Sequence, residues 1–530
     1  MTKRHVAQHR AEFPLSGKVA ALLAGASLSA AAVALALAPQ EAWAQAVNGT
    51  PTVQFGADDA VRTATSDNFN VTADEALIDW AVTDNTVFLN AGTSLNYSRD
   101  GGAYTVLNRV ASSPLAGTLA LNGAVTSDPQ GKIWFYNPGG WVVGSGAVLN
   151  VGSLVLTSNP ITIDMSDPIG QRFVGDKGEI RFGQAASGSS VTIQNGASIT
   201  AANSDSYVAL VAQRVVQAGA ITSNGSTALI GAGAVDLTIN TGLFDIVVAA
   251  GTDDPNGVVH SGTTTGSSST DGFHQQYLVA VPKNDALTML VSGNLGYNSA
   301  FTATQDSDRI VLSAGSGLFS GQIDPTTSVA GGRIAITDAN LTSNTEANAT
   351  DAISVKADGP ESFVDVGGNL ALTAAKGGKG GVVTIDVANG GNLFVLGALE
   401  AHADGIGLIA TDGDTLADVD GEAATGGTVK VTVGQGAFTV ASSTNLSANA
   451  AGGIGGRSVG SAKGGEVTLD VGPDSQFQVE AFNDLTATAT AAPTWKFGDF
   501  GMSAPSVPFR VVSVVDEIRV VVDLVATVKA

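Results

Sequence analysis

The amino-acid sequence predicts an all-β protein built as a solenoid of stacked coils. Glycine supplies 66 of the 530 residues, 44% of the chain is hydrophobic and only 14% is charged. Apolar and β-branched residues alternate or cluster in short runs, which favours strands, and Gly, Asn and Ser separate the runs as turn residues do. Similar segments also recur along the chain, and no helical periodicity follows the N-terminal region.

The first element is a targeting segment, residues 1–44. The chain opens on a basic stretch with four cations: Lys3, Arg4, Arg10 and Lys18. An Ala/Leu/Val run follows from Val19 to Leu37. Ala42 and Ala44 then flank a tryptophan in a small-x-small pattern, which predicts a Sec-type signal peptide cut after Ala44. The same pattern argues against a permanent membrane anchor.

Charge and cysteine content limit the partners and the means of stabilisation. The formal charge of −23 repels nucleic acid and anionic lipid, so we expect neither as a partner. Secreted chains often carry disulfides, but this one has no cysteine. Packing and backbone ladders must therefore stabilise it, and no crosslink hinders threading through a second membrane.

The middle of the chain contains a short repeat. QNGASIT at 194–200 is similar to QAGAIT at 217–222, and an apolar strand follows each copy. Gly196 and Gly219 lie 23 residues apart, which suits one solenoid coil. A coil of that size cannot bury its inward face alone, so it must stack on its neighbours.

A longer repeat occupies the C-terminal half. GGVVTIDV, GGTVKVTV and GGEVTLDV start at Gly380, Gly426 and Gly464, and GGRIAIT at Gly331 is a weaker copy. A phenylalanine strand follows each of the first three copies. Their starts lie 46 and 38 residues apart, which predicts about two coils for each repeat, with Gly/Ala/Asp-rich loops absorbing the difference.

One stretch carries a family resemblance. Residues 137–158, NPGGWVVGSGAVLNVGSLVLTS, resemble the NPNGI…G…A…NVGGL…ST signature of the filamentous-haemagglutinin N-terminal family. Members of that family are the secretion domains of two-partner secretion exoproteins. Residues 76–80 and 107–110 resemble its IDW-like and LNRV segments, and 206–239 resemble its downstream repeats. The resemblance covers roughly residues 47–245.

The resemblance implies a right-handed parallel β-helix and a route of export. The chain would cross the inner membrane by Sec and the outer membrane through a dedicated β-barrel transporter, whose periplasmic domains recognise the N-terminal domain. We expect the protein to be secreted or to lie on the cell surface. The residues expected to form the turn motif or to be recognised are Asn137, Pro138, Gly139, Gly140, Asn150, Val151, Gly152, Asn108 and Arg109.

Two positions depart from the family signature. Gly139 replaces the second asparagine of NPNG, and Ser153 replaces a glycine of NVGGL. Because Pro138 presets φ and Gly139 accepts positive φ, we predict a type II turn. If a transporter recognises the side-chain amide of the asparagine that Gly139 replaces, this chain and its transporter form a divergent pair.

Taken together, these patterns divide the chain into five parts. They are the signal peptide (1–44), the secretion domain (45–250), a loop insertion with connecting coils (251–330), the Gly-rich repeats (331–492) and a tail (493–530). Within the third part, 261–272 is expected to be an exposed excursion and 277–283 a strand. The tail either caps the solenoid or continues into a longer protein.

The sequence shows little catalytic or metal-binding chemistry. His260, His274 and His402 lack the spacing of metal ligands or of a catalytic triad, and no cofactor is predicted. The loop 411–422 gathers five carboxylates: Asp412, Asp414, Asp418, Asp420 and Glu422. They are candidate calcium ligands, but their spacing matches no known calcium loop, which favours a solvated acidic loop.

Two classes of function remain open. A secreted β-helical adhesin would bind a host cell, matrix or glycan receptor along its regular surface. The alternative is a polysaccharide lyase or glycoside hydrolase with carboxylates on neighbouring coils. A contact-dependent toxin is rejected for this chain, because the residues after the repeats are too few for a globular effector.

Overall fold

The structure is a computed structural model. It describes residues 45–110, 117–240, 243–268, 274–283, 288–298, 308–319, 322–324, 331–408, 411–412, 415–416, 420–455, 457–458, 460–473, 475–480, 486–487, 494–495 and 518–519. The predicted signal peptide, including Ala42 and Ala44, lies outside the described residues. So do Asp414, Asp418 and most of the predicted tail.

Every regular element of the described residues is a β-strand. Up to residue 250 the strands are β1 Gly49–Phe55, β2 Val61–Arg62, β3 Ser66–Asn70, β4 Glu75–Val82, β5 Val87–Leu89, β6 Ser94–Ser98, β7 Tyr104–Val110, β8 Leu119–Leu121, β9 Ala124–Ser127, β10 Gly131–Tyr136, β11 Gly140–Val143, β12 Val148–Asn150, β13 Ser153–Thr157, β14 Glu179–Phe182, β15 Ser190–Ile193, β16 Ser198–Ala201, β17 Tyr207–Ala212, β18 Arg214–Gln217, β19 Ala220–Ser223, β20 Ser226–Gly231, β21 Ala234–Asn240 and β22 Leu243–Ala250.

The described residues after 250 form thirty further strands. The strands are β23 Val258–His260, β24 Thr263–Thr265, β25 Gln275–Ala280, β26 Thr288–Leu295, β27 Arg309–Ala314, β28 Gly317–Phe319, β29 Gln322–Asp324, β30 Arg333–Leu341, β31 Asn344–Ala349, β32 Ala352–Asp358, β33 Phe363–Val366, β34 Leu370–Lys376, β35 Lys379–Gly380, β36 Val382–Ala388, β37 Gly391–Val395, β38 Leu399–His402, β39 Gly405–Ile406, β40 Thr411–Asp412, β41 Thr415–Leu416, β42 Ala424–Thr425, β43 Thr428–Val433, β44 Gly436–Val440, β45 Thr444–Ser447, β46 Ala450–Ala451, β47 Ala462–Lys463, β48 Glu466–Val471, β49 Ser475–Val479, β50 Thr486–Ala487, β51 Thr494–Trp495 and β52 Ile518–Arg519.

Three parallel ladders run along the solenoid, and β26 and β30 are long strands that each belong to both the second and the third ladder. The first runs β4–β7–β10–β13–β17–β20–β25–β27–β31–β34–β38–β45–β50. The second runs β5–β8–β11–β15–β18–β23–β26–β30–β32–β36–β43–β48, and the third runs β3–β6–β9–β12–β16–β19–β24–β26–β30–β33–β37–β44–β49. The predicted parallel β-helix is therefore confirmed.

The core follows from strand alternation. In β16 the side chain of Ile199 is buried, while Ser198 and Thr200 on either side face outward. Inward-facing residues of all three ladders form one continuous apolar cluster from Ala46 to Leu446. Among the described residues, no helix has the length and apolar character needed to cross a membrane.

The middle repeat is one coil, as predicted. Val191 pairs with Val215, and Ser198 pairs with Ala220 on the next coil. The glycines of the turn allow close stacking, because a Cβ on Gly219 would lie 2.6 Å from the carbonyl oxygen of Gln194.

The prediction of about two coils for each C-terminal repeat is wrong. Val382 pairs directly with Thr428, which pairs directly with Glu466, so each repeat is a single coil. The extra residues leave the coil and form short outlying strands such as β42 and β47, which pair with each other. Glycine is needed there, since a Cβ on Gly427 would lie 1.9 Å from the Gly381 carbonyl oxygen.

The segment 261–272 is also not wholly an excursion. Residues 263–265 form β24, which continues the third ladder from β19, and 269–273 lie outside the described residues. The predicted strand at 277–283 is present over residues 277–280, which belong to β25, but not over 281–283.

The first coil is closed by residues that follow the predicted cleavage site. Strand β1 pairs antiparallel with β4, and Val47 is fully buried. The fully buried Asp67 accepts hydrogen bonds from Arg62 Nε at 2.9 Å and from Val47 N at 3.2 Å. Arg62 also donates to the carbonyl oxygens of Val47 and Gly49 at 2.9 and 2.8 Å, which holds residues 47–49 on the first coil.

A second sheet covers part of the first ladder. Strands β14, β21, β22, β28 and β29 form an antiparallel sheet outside the coils. A second apolar cluster, which includes Phe244 and Val235, lies between this sheet and the solenoid. This explains why β17 and β20 are buried on both faces, whereas the uncovered β34 alternates.

Candidate recognition site

The turn 137–140 joins β10 to β11 and is organised by Asn137. The backbone carbonyl of Asn137 accepts a hydrogen bond from Gly140 N at 2.9 Å, which closes a β-turn. Its side-chain amide donates to the Gly117 carbonyl oxygen at 2.9 Å and to the Gly140 carbonyl oxygen at 2.6 Å. Asn137 is fully buried, so its amide orders the protein's own backbone. Pro138 and Gly139 are the half-buried corner of the turn.

The prediction of a type II turn is wrong. A type II turn requires positive φ at its third residue, Gly139, but the positive φ of 90° occurs at Gly140. The turn instead matches type I, which favours proline at the second position and glycine at the fourth. Space also demands glycine at the fourth position, because a Cβ on Gly140 would lie 1.9 Å from the Ser190 carbonyl oxygen.

Asn108 is the centre of a buried hydrogen-bond network. Its Oδ1 accepts hydrogen bonds from Trp80 Nε1 at 3.0 Å and from the Tyr97 hydroxyl at 2.6 Å. Its Nδ2 donates to the Trp134 carbonyl oxygen at 3.4 Å. Burial raises the pKa of Tyr97 well above its ordinary value, so this hydroxyl remains a donor. The network ties four strands together inside the first coils.

Arg109 lies next to Asn108 but faces outward. Its Nε and Nη2 donate to the two carboxylate oxygens of Asp79 at 2.7 and 2.9 Å. These hydrogen bonds raise the pKa of Arg109 further, and its side chain is 36% exposed. In register on the next strand stands Tyr136, the residue before the turn.

Asn150, Val151 and Gly152 form the other predicted motif. Asn150 is exposed at the end of β12, in register with Thr126 and Thr200. Val151 is buried, and its backbone N–H donates to the Thr200 carbonyl oxygen at 3.0 Å. A Cβ on Gly152 would lie 2.2 Å from the Pro129 carbonyl oxygen, so close backbone packing requires glycine there.

The structure brings some of these residues together and separates others. Residues 107–110 lie on β7 beside β10, which ends in the 137–140 turn, so these two motifs are adjacent. Gly152 packs instead near Gly131, at the start of β10. The length of β10, roughly 17 Å at 3.3 Å per residue, separates Gly152 from the turn. The predicted set therefore forms two separate places on two neighbouring coils.

The acidic loop gives no support to calcium binding in its described part. Asp420 Oδ1 accepts a hydrogen bond from Ser458 Oγ at 2.8 Å, and Glu422 Oε2 accepts one from Leu408 N at 2.9 Å. Asp414, Asp418 and the side chain of Asp412 lie outside the description. Among described residues, no three His, Cys, Asp or Glu side chains are grouped to hold a metal.

Sequence reasoning missed the partners of the predicted residues. Asp79 and Trp80 belong to the segment 76–80, and its residues 77–80 pair in register with 107–110. The presence of both motifs in this order could have indicated that their residues are partners. Tyr97 carries no signal beyond the alternation of β6. Its role depends on the stacking of coils, which local sequence does not specify.

Comparison with solved structures finds eight matching chains, which include the two described below. No family model matches the sequence, and no curated protein matches it. The secretion domain of HMW1 from Haemophilus influenzae is 15% identical, with 82% of this chain and 98% of that chain covered and a TM-score of 0.43. The filamentous hemagglutinin secretion domain is 12% identical, with 81% and 99% covered and a TM-score of 0.33.

Proposed function

We propose that this chain is the exoprotein of a two-partner secretion system. A β-barrel transporter of the outer membrane would export it after its periplasmic domains bind the first coils. The protein would then act outside the cell or on its surface as a binding protein rather than an enzyme. The signal peptide at 1–44 and the recognition residues are part of this proposal.

One observation supports the proposal most strongly. Three of the four sequence segments that resemble the secretion family lie side by side: 76–80 on β4, 107–110 on β7 and the turn after β10. The first two contact each other, because Asn108 accepts a hydrogen bond from Trp80. Asn108 also donates to the backbone of Trp134 on β10, the strand that leads into the turn. Segments separated along the chain thus form one folded unit.

The surface offered to a transporter differs from the motif itself. Asn137 and Asn108 are buried and hold the fold, whereas Arg109, Tyr136 and the 138–139 corner are at least partly exposed. We therefore assign direct contact to the exposed group. The departure from the family signature at Gly139 lies on this corner, which supports pairing with a divergent transporter.

A binding role is favoured over catalysis. No observation in the described part of the chain places a carboxylate pair in the surroundings that glycoside hydrolysis needs. The long ladders instead offer a regular surface, as solenoids that bind extended partners do. A receptor on a host cell, in the matrix or on a glycan remains part of the proposal.

Partner-dependent export tests the proposal. The chain is expressed with and without its cognate transporter, and the protein is measured in the periplasm, on the cell surface and in the medium. Arg109→Glu changes the exposed group, and Arg333→Glu is the matched control. Arg333 also pairs with a carboxylate, Asp351 at 2.8 Å, but lies in the C-terminal coils.

We expect export to need the transporter, to fall with Arg109→Glu and to persist with Arg333→Glu. Resistance of periplasmic protein to protease shows that both variants fold. Equal export without a transporter, or an equal response to the two variants, contradicts the proposal.

A further inference from the structure

A cleft lies between the solenoid and the segment 161–182, which folds back over the first ladder. Its volume is about 470 Å³, within the range of about 300–1,000 Å³ typical of small-molecule sites. None of the predicted recognition residues lines it. The cleft is therefore a separate place on the molecule.

One wall of the cleft carries polar groups from the starts of strands or just before them. Asp74, Lys132 and Asp205 line this wall, and no ion pair joins Lys132 or Asp205 to another described residue. Behind them, the Tyr207 hydroxyl accepts the indole N–H of Trp134 at 2.9 Å. Tyr207 is only 3% exposed, and no described residue accepts its own proton. This wall thus presents unused donors beside unused acceptors.

The facing wall is apolar. Val174, Ile180 and Ile239 line it. Gly170 and Gly178 also line it with positive φ of 100° and 78°, and they add no side chain to fill the space. One side of a bound molecule would therefore meet hydrocarbon, and the other side would meet hydrogen-bonding groups.

The cleft is held open by its own structure. The buried carboxylate of Glu75 accepts hydrogen bonds from the backbone N–H groups of Gly170, Arg172 and Phe173 at 2.8, 3.0 and 3.3 Å. The Phe173 ring packs against that of Trp134, with centroids 5.8 Å apart. Segment 161–182 is thus pinned to the solenoid, and a ligand need not order it on binding.

We propose that this cleft binds a neutral saccharide of one or two pyranose rings. A pyranose has an apolar C–H face and a rim of hydroxyl groups that donate and accept, which matches the two walls. Asp74 and Asp205 disfavour a phosphate or other anion. A wholly apolar ligand would leave the Tyr207 proton and the Lys132 ammonium group without acceptors.

The cleft is suited to binding rather than hydrolysis. Asp74 is largely exposed and accepts a hydrogen bond from Arg99 at 2.7 Å, and Asp205 is exposed. Neither of these two carboxylates has the apolar surroundings that the acid of a glycoside hydrolase needs. Glu75, the third carboxylate that lines the cleft, is buried, but its two oxygens accept backbone N–H groups of the segment 161–182 and hold that segment in place. The inference names a ligand for the binding role proposed above and in that respect rests on that role. The sugar-binding test itself does not need export.

The test uses the purified chain without the signal peptide and without a transporter. Saturation-transfer NMR measures the binding of glucose, galactose, N-acetylglucosamine, maltose and cellobiose at millimolar concentration, with glucose 6-phosphate as the anionic comparison. Lys132→Met removes a cleft donor, and Val174→Trp fills the space. Lys177→Met is the matched control, because Lys177 is exposed on the same segment but does not line the cleft.

We expect saturable binding of a neutral sugar. Lys132→Met and Val174→Trp should weaken this binding about tenfold or more, and Lys177→Met should not. Thermal unfolding must show that all three variants are folded. Absence of sugar binding, equal binding by all variants, or preference for glucose 6-phosphate overturns the proposal. Each of these results leaves partner-dependent export to be decided separately.

Discussion

The carboxylate of Asp79 and the guanidinium of Arg109 face each other in register on neighbouring parallel strands, joined by hydrogen bonds of 2.7 and 2.9 Å. Each residue belongs to a different segment of family resemblance. The pair links the two segments on the outside, just as Asn108 links them on the inside through Trp80. A resemblance spread along the chain is thus one compact structure in space.

We expect this ion pair to contribute modestly to stability. Because Arg109 is 36% exposed, solvent screens the attraction, and a coupling free energy of about 0.5–1 kcal/mol is expected. Urea unfolding of Asp79→Asn, Arg109→Gln and the double variant measures it as a double-mutant cycle. A coupling of zero would show that the two hydrogen bonds do not persist in solution.

Replacing Asn108 with alanine should cost about 3 kcal/mol of unfolding free energy. The substitution leaves the Trp80 indole N–H and the Tyr97 hydroxyl buried without their acceptor, at about 1–3 kcal/mol for each. Urea unfolding checks this, with Asn150→Ala as the control. Asn150 is exposed, so its loss should change stability by less than about 0.5 kcal/mol. Equal effects of the two substitutions would be incompatible with the buried network.

Two adjacent glycines should respond in opposite ways to alanine. Gly140→Ala introduces positive-φ strain and a clash with the Ser190 carbonyl, so we expect a loss of about 2 kcal/mol or more. Gly139 has no positive φ, and Gly139→Ala should be neutral or stabilise by about 0.4–1 kcal/mol. Thermal and urea unfolding distinguish them. A type II turn would give the reverse order.

Stability should fall with acid because of His260. Burial lowers the pKa of His260 from 6.5 to about 4. The ring nitrogens are within hydrogen-bond distance of the Ser292 carbonyl oxygen, at 2.8 Å, and of Thr264 Oγ1, at 2.9 Å. Above pH 6.5 the ring is neutral in both folded and unfolded chains. Between 6.5 and about 4 only the unfolded chain takes up the proton, so about 3 kcal/mol is lost as the pH falls. Below about 4 both forms are protonated and this loss stops growing.

The variant His260→Gln isolates this effect from other titrating groups. Urea unfolding of both proteins at several pH values between 7 and 4 gives the difference in their pH dependence. The unsubstituted protein should lose about 3 kcal/mol more than the variant over this interval. Parallel curves would mean that His260 is accessible to protons in the folded chain.

The sequence predicts the solenoid well because the signals for it are local. Alternation such as that around Ile199, and turn glycines such as Gly219, depend on a few neighbouring residues. The number of coils in a repeat is not local. Both one coil and two suit a spacing of 46 residues, and only pairing of Val382 with Thr428 decides between them.

For the candidate site, the sequence names candidate residues but does not give their exposure. Turn chemistry alone does not specify that Asn137 points inward, since its amide is buried through contacts with Gly117 from the preceding coil. The repeats give a similar case. Aligning their phenylalanine strands by sequence would place Phe394 opposite Phe438, but Phe394 is in register with Thr439, one position away. The sheet over the first ladder, and the cleft beneath it, depend on pairing between distant segments such as β14 and β21.

The one-coil register of the C-terminal repeats has a consequence for how such a gene can change. Val382 and Thr428 occupy the same place in successive coils, so an excision from Val382 to Gly427 would join Gly381 to Thr428 with the ladders still matched. Contacts in a solenoid are mainly between nearest coils, so the remaining coils would keep their packing. Recombination between these repeats would then lengthen or shorten the protein in whole steps, each about 4.8 Å along the solenoid axis.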